Sequence, residues 1–497
     1  MRSAEPVDLA APLESVVAAL RRQAERRPDH VALVARGISV SYGQLWLQAM
    51  AAAGELRRSG VRPGDRVLLA APSDPAFAIG YIGCHLAGGV AVLVDPLAPE
   101  SRRDDIIARS APRVAFGGAE AGHPVLGRIR SIAELAAAPA AAGDLPDPPL
   151  DALADLIFTT GTTGRPKGVQ LSFRNLAAAA RHINTRIGNG PDDIEAMPLP
   201  LFHSFGLGRL RCNVIAGGTV VLVDVRLPGE LFEAMRTHRA TGLVGVPSLF
   251  AMLLRFGAKT LPQFADSLRY IEIGSAAMPL DHKRQLMKIL PHTALWMHYG
   301  LTEASRSTFL EFHRHEARLE TAGSASPGVR LSVRTEAGDA VTPGTSGMLW
   351  IAGEHVSPGY WEDEELTART FVDGWVRSGD VAHLDAEGFV HLHGRADDMI
   401  NVGGFNVSPD EVERVLCTHP GIADAGCVGM EDPRKIAGRV VRAHLVVREG
   451  ATAPTDAELS AWLHPRLEWY KIPVAYVWVN ELPRTGSGKL LRAKLRD

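Results

Sequence analysis

Apolar positions follow two alternating rhythms along most of the chain. Near the start Leu13, Val16, Val17, Leu20 and Ala24 keep a helical spacing until Pro28 stops it. A hairpin-like piece turns at Arg36-Gly37, and short β-branched runs then trade places with helical stretches. Residues 67–69 lead into a helix from Ala76, 90–94 into a helix around 104–109, and 114–116 close that series. An Ala- and Pro-rich connection covers 136–150. Alternation then resumes, with strand-like 220–223, 243–246 and 268–273 preceding helical 230–239, 249–255 and 281–290, and 295–298 as a last strand. Strands alternating with helices predict parallel sheets covered on both faces.

From Gly328 the texture changes. Val329-Arg330-Leu331-Ser332-Val333 and Met348-Leu349-Trp350-Ile351 alternate apolar and polar residues, as in a small antiparallel β unit. Past residue 394 a helix over 408–417 and strands at 425–428, 440–447 and 475–479 suffice for a separate α+β domain. The predicted fold class is α/β: a large N-terminal domain, 1–394, of two doubly wound sheets plus a small β unit, then a small α+β domain over 399–497.

Residues 76–94 match a membrane span in length and lack formal charge apart from His85. Gly88-Gly89 divides them, so a buried helix, a turn and a core strand are expected instead. Composition excludes other classes: 53 basic residues balance 56 acidic ones without a basic run, so no nucleic-acid partner is expected. Cys84, Cys212, Cys417 and Cys427 are scattered, without metal-ligand spacing, which suits a reducing cytoplasm. No apolar leader is read in the first residues, and no integral membrane association is expected.

Candidate chemistry concentrates in Thr159-Thr160-Gly161-Thr162-Thr163-Gly164-Arg165-Pro166-Lys167-Gly168-Val169. Its glycines let backbone N–H groups approach an anion, while the threonine hydroxyls and Lys167 add donors and a charge: a phosphate cradle. Gly-x-x-x-x-Gly-Lys-Ser/Thr does not thread through it. Residues 156–158 read as a buried strand before it and 171–187 as an Ala-rich helix behind it, placing the loop at a strand-to-helix turn.

Further motifs follow in order: Pro200-Leu201-Phe202-His203, Gly274-Ser275-Ala276, Tyr299-Gly300-Leu301-Thr302-Glu303, Ser378-Gly379-Asp380, Gly394-Arg395, Gly403-Gly404, and Pro483 through Lys489. With this set, spread over nearly its whole length, the chain resembles the adenylate-forming superfamily, which includes acyl-CoA synthetases, peptide-synthetase adenylation domains and firefly luciferase. The resemblance implies that a carboxylate attacks the α-phosphorus of ATP, pyrophosphate leaves, and a thiol captures the acyl-adenylate. Both partners in the first step are anionic, so the site must supply positive charge and aligned donors.

By resemblance, Thr159 to Lys167 hold the β- and γ-phosphates, Thr302 touches the α-phosphate, and Glu303 holds Mg²⁺. Tyr299 and Gly300, with the Gly274-Ser275-Ala276 backbone, flank adenine. Asp380 accepts from the ribose hydroxyls, with Arg395 beside a hinge (395–398) centred on Asp397. Lys489 bridges the substrate carboxylate and the α-phosphate, and after the small domain, a mobile lid, rotates, Gly403 and Gly404 line a pantetheine tunnel. Ser378 replaces the commoner threonine and keeps its hydroxyl.

His203 stands where amino-acid-activating members carry Asp, so an α-amino acid is not expected; a fatty or aryl acid is. The substrate pocket is assigned to His203, Phe205, Gly206, Gly245 and Ser305, with Gly206, Gly208 and Gly245 leaving room for an apolar chain or ring. Arg209, Arg211 and Arg306 are read as structural ahead of ligand-binding. The expected acceptor is coenzyme A. The alternatives are phosphopantetheine on an acyl carrier protein in trans, a non-catalytic nucleotide-binding sensor or scaffold, and a luciferase-like oxidase. The sequence leaves monomer or homodimer open.

Overall fold

In a computed structural model, residues 11–98, 100–139, 145–160, 166–223, 228–402, 405–433, 439–485 and 488–496 are described. The chain divides into two compact units, one of residues 1–331 with 351–377, the other of 332–350 with 378–497.

The first unit holds two sheets. One is nine-stranded, its inner strands parallel and running Ala294–Tyr299, Tyr270–Ile273, Gly242–Gly245, Ile194–Met197, Thr219–Leu222 and Val31–Ala35. The other is seven-stranded and ends on Leu153–Thr160 and Pro166–Ser172. The 76–94 stretch is the helix Pro75–Leu86, a turn with Gly88 at φ +83°, and the strand Val90–Leu93. Among the described residues no helix is long and apolar enough to cross a membrane.

The phosphate-loop motif is placed differently from the strand-to-helix turn expected of it. Leu153–Thr160 and Pro166–Ser172 pair antiparallel, Thr159 opposite Lys167, so residues 161–165 join two strands of a hairpin. The helix starts only at Phe173, where Ser172 and Asn175 form a reciprocal capping box. Val169 and Leu171 are buried on the extra strand, which the Ala-rich run behind it masks.

A helix absent from the sequence reading, Ser204–Ala216, crosses the core and ends at Gly217 in the left-handed region. It lacks a polar face because it is buried nearly all round, arginines included. Arg211 meets the Asp155 carboxylate at 3.1 Å, where Tyr81 and His85 also bond. Arg209, fully buried, lies between Glu195 and Glu272 and reaches Asn189 at 3.1 Å. Arg306 meets Glu272 from the other side at 3.3 Å.

Two buried histidines pack edge to face behind the Thr302-Glu303 turn, His182 and His355, with Ser307 Oγ 3.0 Å from His355 Nε2. Burial pushes their pKa values from 6.5 down to about 4 and about 3.

In the second unit Trp375–Leu384, which enters the unit at Ser378, pairs antiparallel with Val390–Arg395. Ile422–Glu431, Arg439–Val447 and Ala475–Trp478 form a three-stranded sheet, against which Pro409–Leu416 packs. The sequence reading put its boundary at 394. By their contacts residues 332–350 and 378–394 group with the C-terminal segment, bound by pairing of Asp380 with Arg395 and by Ser408 Oγ donating to the His393 carbonyl.

Arg209→Met leaves two buried carboxylates short of a cation and is expected to cost about 3–5 kcal/mol of stability, read from chemical denaturation. The histidine pair sets a pH dependence. Below pH 6.5 the unfolded chain takes up protons that folded His182 and His355 refuse, so stability falls from about pH 6.5 toward 4. His182→Asn is expected to reduce that slope in denaturation curves recorded across the range.

Candidate active site

The hairpin strand Pro166–Ser172 is stitched on its outer side to residues 357–361. Trp361 N–H donates to the Gly168 carbonyl at 2.7 Å, Gln170 N–H to Gly359 at 3.1 Å, and Ser357 Oγ to Gln170 at 2.7 Å. Trp361 Nε1 also donates to the Arg109 carbonyl, while the Arg109 guanidinium caps that of Pro166. Lys167 Nζ stands 5.7 Å from the centre of the Tyr360 ring. Thr159 is paired in the ladder beside it. The backbone of Thr160 belongs to the same strand. Gly161, Thr162, Thr163 and Gly164 lie outside the described residues.

The Tyr360 hydroxyl donates to Glu303 Oε1 at 2.7 Å. Glu303 follows Thr302 at the tip of a tight turn closed by Leu301 and Ala304, and the Ser357 N–H holds its carbonyl at 2.8 Å. Gly300 is required there, since a Cβ would strike the backbone of Ala304 and Arg306. Tyr299 ends the strand leading into this turn. Among the described residues no group of three or more His, Cys, Asp or Glu forms a metal site by itself. A single carboxylate whose other ligands are phosphate and water oxygens is the donor set Mg²⁺ takes, so Glu303 fits that ion.

Gly274 admits the His298 ring where a Cβ would collide with it, and Ser275 adopts φ +75°. His298 Nδ1 faces Glu272 Oε1 at 2.7 Å. Burial pushes the Glu272 carboxyl up, but Arg209, Arg306 and His298 outweigh it and hold the group below the usual range. Burial keeps His298 below the ordinary imidazole value, hence neutral at pH 7.

A cavity of about 180 Å³ opens beside the turn, lined by Ser204, Phe205, Ser275 and His298 and by Leu301, Thr302, Ser305 and Arg306. Of the residues assigned to the substrate pocket, Phe205 and Ser305 border it. His203, the exposed residue preceding the buried helix, lies against Phe202 instead. The glycines do not leave the expected apolar room: a Cβ on Gly206 would meet the Pro200 carbonyl, one on Gly245 Leu249 at 2.5 Å, and one on Gly208 Arg306 Nη1 at 2.6 Å. Arg209 and Arg211 are spent in buried ion pairs, whereas Arg306 reaches the cavity.

In the second unit Ser378, Asp380 and Arg395 form a local constellation. Ser378 Oγ accepts from the Asp380 N–H at 3.0 Å and donates to Leu349, keeping the bonding of a hydroxyl residue. Arg395 Nη1 meets Asp380 Oδ1 at 3.2 Å, passing over Gly379, where a Cβ would lie 2.7 Å from the guanidinium. Asp397 lies in the short turn Ala396–Asp398, and its neighbour Asp398 is held by Arg492 and Arg496. Lys489 is exposed on a tight turn in which Thr485 bonds both its N–H and its carbonyl. Gly403 and Gly404 lie outside the described residues.

Tyr360, Glu272 and His298 escaped the sequence reading. Only the position of His298 directly before Tyr299 could have signalled one of them.

Residues 20–361 match the family model of the AMP-binding enzymes, and 411–489 that of the AMP-binding enzyme C-terminal domain. A feruloyl-CoA synthase of Amycolatopsis is 34% identical over 96% of this chain and 97% of its own length. A 2-succinylbenzoate–CoA ligase of Bacillus licheniformis is 32% identical over 96% and 98%. Among solved structures, the o-succinylbenzoate CoA synthetase of Bacillus subtilis with its acyl-adenylate intermediate superimposes with a TM-score of 0.88, at 29% identity over 96% of this chain and 98% of that one. With both family models matched in order and relatives aligned end to end, this chain belongs to the AMP-binding enzymes, the adenylate-forming superfamily.

Proposed function

We propose that the protein is an AMP-forming carboxylate–CoA ligase. The observation that carries this reading is the Lys167–Tyr360–Glu303 arrangement, in which one side chain joins the lysine assigned to phosphate and the carboxylate assigned to Mg²⁺. It sits on a chain whose end-to-end relatives are CoA ligases.

A carboxylate oxygen attacks the α-phosphorus of ATP and the bond to pyrophosphate breaks. A thiolate then attacks the acyl carbon of the mixed anhydride and AMP leaves. Lys167 and the threonines of the hairpin grip the leaving pyrophosphate. Glu303 holds Mg²⁺, which neutralises phosphate charge, and Tyr360 orients that carboxylate. Thr302 donates to the α-phosphate, and Tyr299 stacks on adenine beside Gly274-Ser275-Ala276. Asp380, braced by Arg395, accepts from the ribose hydroxyls. Lys489 serves the adenylation step alone, Asp397 is the hinge pivot, and Gly403 and Gly404 admit the pantetheine thiol.

Coenzyme A is the assigned acceptor and the cytoplasm the assigned compartment, in keeping with four free cysteines. A fatty acid–[acyl-carrier-protein] ligase of Streptomyces coeruleorubidus, 31% identical over 98% of this chain, supports a second reading in which a carrier protein brings the thiol.

Incubation with Mg-ATP and a panel of fatty, aryl and dicarboxylic acids, with and without CoA, is expected to yield AMP, pyrophosphate and an acyl-CoA by mass spectrometry. Acyl-adenylate that stalls with CoA present and discharges only on a carrier protein selects the second reading. Absence of pyrophosphate release with every acid overturns both. Lys489→Ala is expected to lower adenylate formation by at least ~10²-fold while largely sparing thioester formation from supplied acyl-adenylate. Equal loss of both half-reactions would remove Lys489 from its role.

A further inference from the structure

The backbone carbonyls on either side of Lys167 are held by one circuit of side chains. Along the outer edge of Pro166–Ser172 every second residue turns its backbone groups outward, and residues 357–361 cover that edge as far as Gly168. Gln170 N–H donates to the Gly359 carbonyl there, and Trp361 N–H to that of Gly168. Two residues closer to the phosphate loop, the Pro166 carbonyl faces the same edge, but the covering segment has turned away. Glu362 takes φ +51°, in the left-handed region, and Asp363 caps the helix Glu364–Thr370. Proline brings no N–H, so at that residue only the carbonyl needs a partner.

The Arg109 guanidinium supplies the missing donor. Arg109 lies in the last turn of the helix Glu100–Ser110, and its own carbonyl accepts from Trp361 Nε1 at 3.1 Å. Trp361 thus holds Gly168 through its backbone and Pro166 through its indole and Arg109. The circuit is rooted in the seven-stranded sheet. Arg66, which opens the strand Arg66–Ala70, lies 5.4 Å from the centre of the Trp361 ring and donates to the Ser110 and Ala111 carbonyls at 2.8 and 3.0 Å. The indole also packs on the apolar cluster that contains Leu156 and Phe158 of the partner strand.

What the circuit fixes is the base of one long side chain. Lys167 pairs with Thr159 on the inner side of the strand, and its Nζ approaches the Tyr360 ring, whose hydroxyl bonds Glu303. An ammonium on a flexible four-carbon stem is only as well placed as the backbone that carries it. With Arg109 gone, the outer edge stays tied at Gly168 and Gln170, while the Pro166 end beside the phosphate loop loses its outer bond.

We propose that Arg109 and Trp361 are positioning residues for the nucleotide: by fixing the two carbonyls that flank Lys167 they set its ammonium against the β- and γ-phosphates of ATP. This role rests on the ligase reading above, which assigns Lys167 to phosphate.

The test measures the affinity of the full-length protein for Mg-ATP and, separately, for AMP by isothermal titration calorimetry, with no acid present. AMP lacks the two phosphates that Lys167 is assigned to grip. Arg109→Ala is expected to weaken Mg-ATP binding by at least about fivefold and AMP binding by less than about twofold. Trp361→Phe keeps the ring and the backbone N–H and loses the indole donor; it is expected to shift the ATP-to-AMP ratio in the same direction, and it stands in where Arg109→Ala melts early. Arg109→Lys restores a donor of similar reach and is expected to return Mg-ATP affinity to within about threefold of the unaltered protein. Equal losses for the two nucleotides, an unchanged ratio in Arg109→Ala and Trp361→Phe, or no recovery by Arg109→Lys overturns the positioning role and leaves the ligase intact. Pyrophosphate release from the acid panel is followed alongside, and its absence in the unaltered protein refutes the ligase reading, whereas the nucleotide comparison alone decides the part of Arg109 and Trp361.

Discussion

Two buried guanidinium groups and two buried carboxylates pair with one another beside the cavity at the Thr302 turn. Glu195 and Glu272 come from neighbouring regions of the nine-stranded sheet, Arg209 from a helix buried along its length, and Arg306 from the turn after Tyr299. Isolating any of these charges in a dry interior costs more than most single contacts return. Sheet, helix and turn must therefore be assembled together. The turn carrying Thr302 and Glu303 inherits its position from that constraint, because Arg306 follows it by three residues and is fastened to Glu272, Ser204 and Phe205.

Much of the alternation of strands and helices between residues 13 and 298 was legible where an element carries its own apolar period, although the helix Tyr42–Arg58 and the strand Ile194–Met197 went unread. Two further elements were misplaced or missed. The strand Pro166–Ser172 was read as the end of the phosphate loop and, from Leu171, as the start of the Ala-rich helix; the capping box of Ser172 and Asn175 marked the true start. The helix Ser204–Ala216 was invisible because a helix buried nearly all round has no polar face to set a period, and its two arginines, read rightly as structural, gave no sign of what they pair with. Their partners, Glu195, Glu272 and Asp155, lie 14 to 63 residues away in sequence. Local pattern holds no record of such pairings.

The chemical motifs were easier to read than their supports. Glu303, Asp380 and Lys489 sit in short runs whose composition marks them, but what holds them is distant or drawn from the backbone. Tyr360 reaches Glu303 across 57 residues, and Arg395 reaches Asp380 across 15. The turn presenting Lys489 is closed by Thr485, and the segment just beyond it grips Asp398 through Arg492 and Arg496. The short segment from Lys489 to Arg496 thus connects the lysine turn to residues 396–398 within the second unit.

The stitching of residues 357–361 to the strand after the phosphate loop bears on how such enzymes are recombined. Gly168, Gln170 and Lys167 all meet that distant segment, and its tyrosine continues to the carboxylate at position 303. A hairpin transplanted from a relative would arrive with its sequence intact but its mooring left behind. Exchange of this loop between homologues is an exchange of three separated segments, and a crossover point placed anywhere from 173 to 356 cuts through the module it means to move.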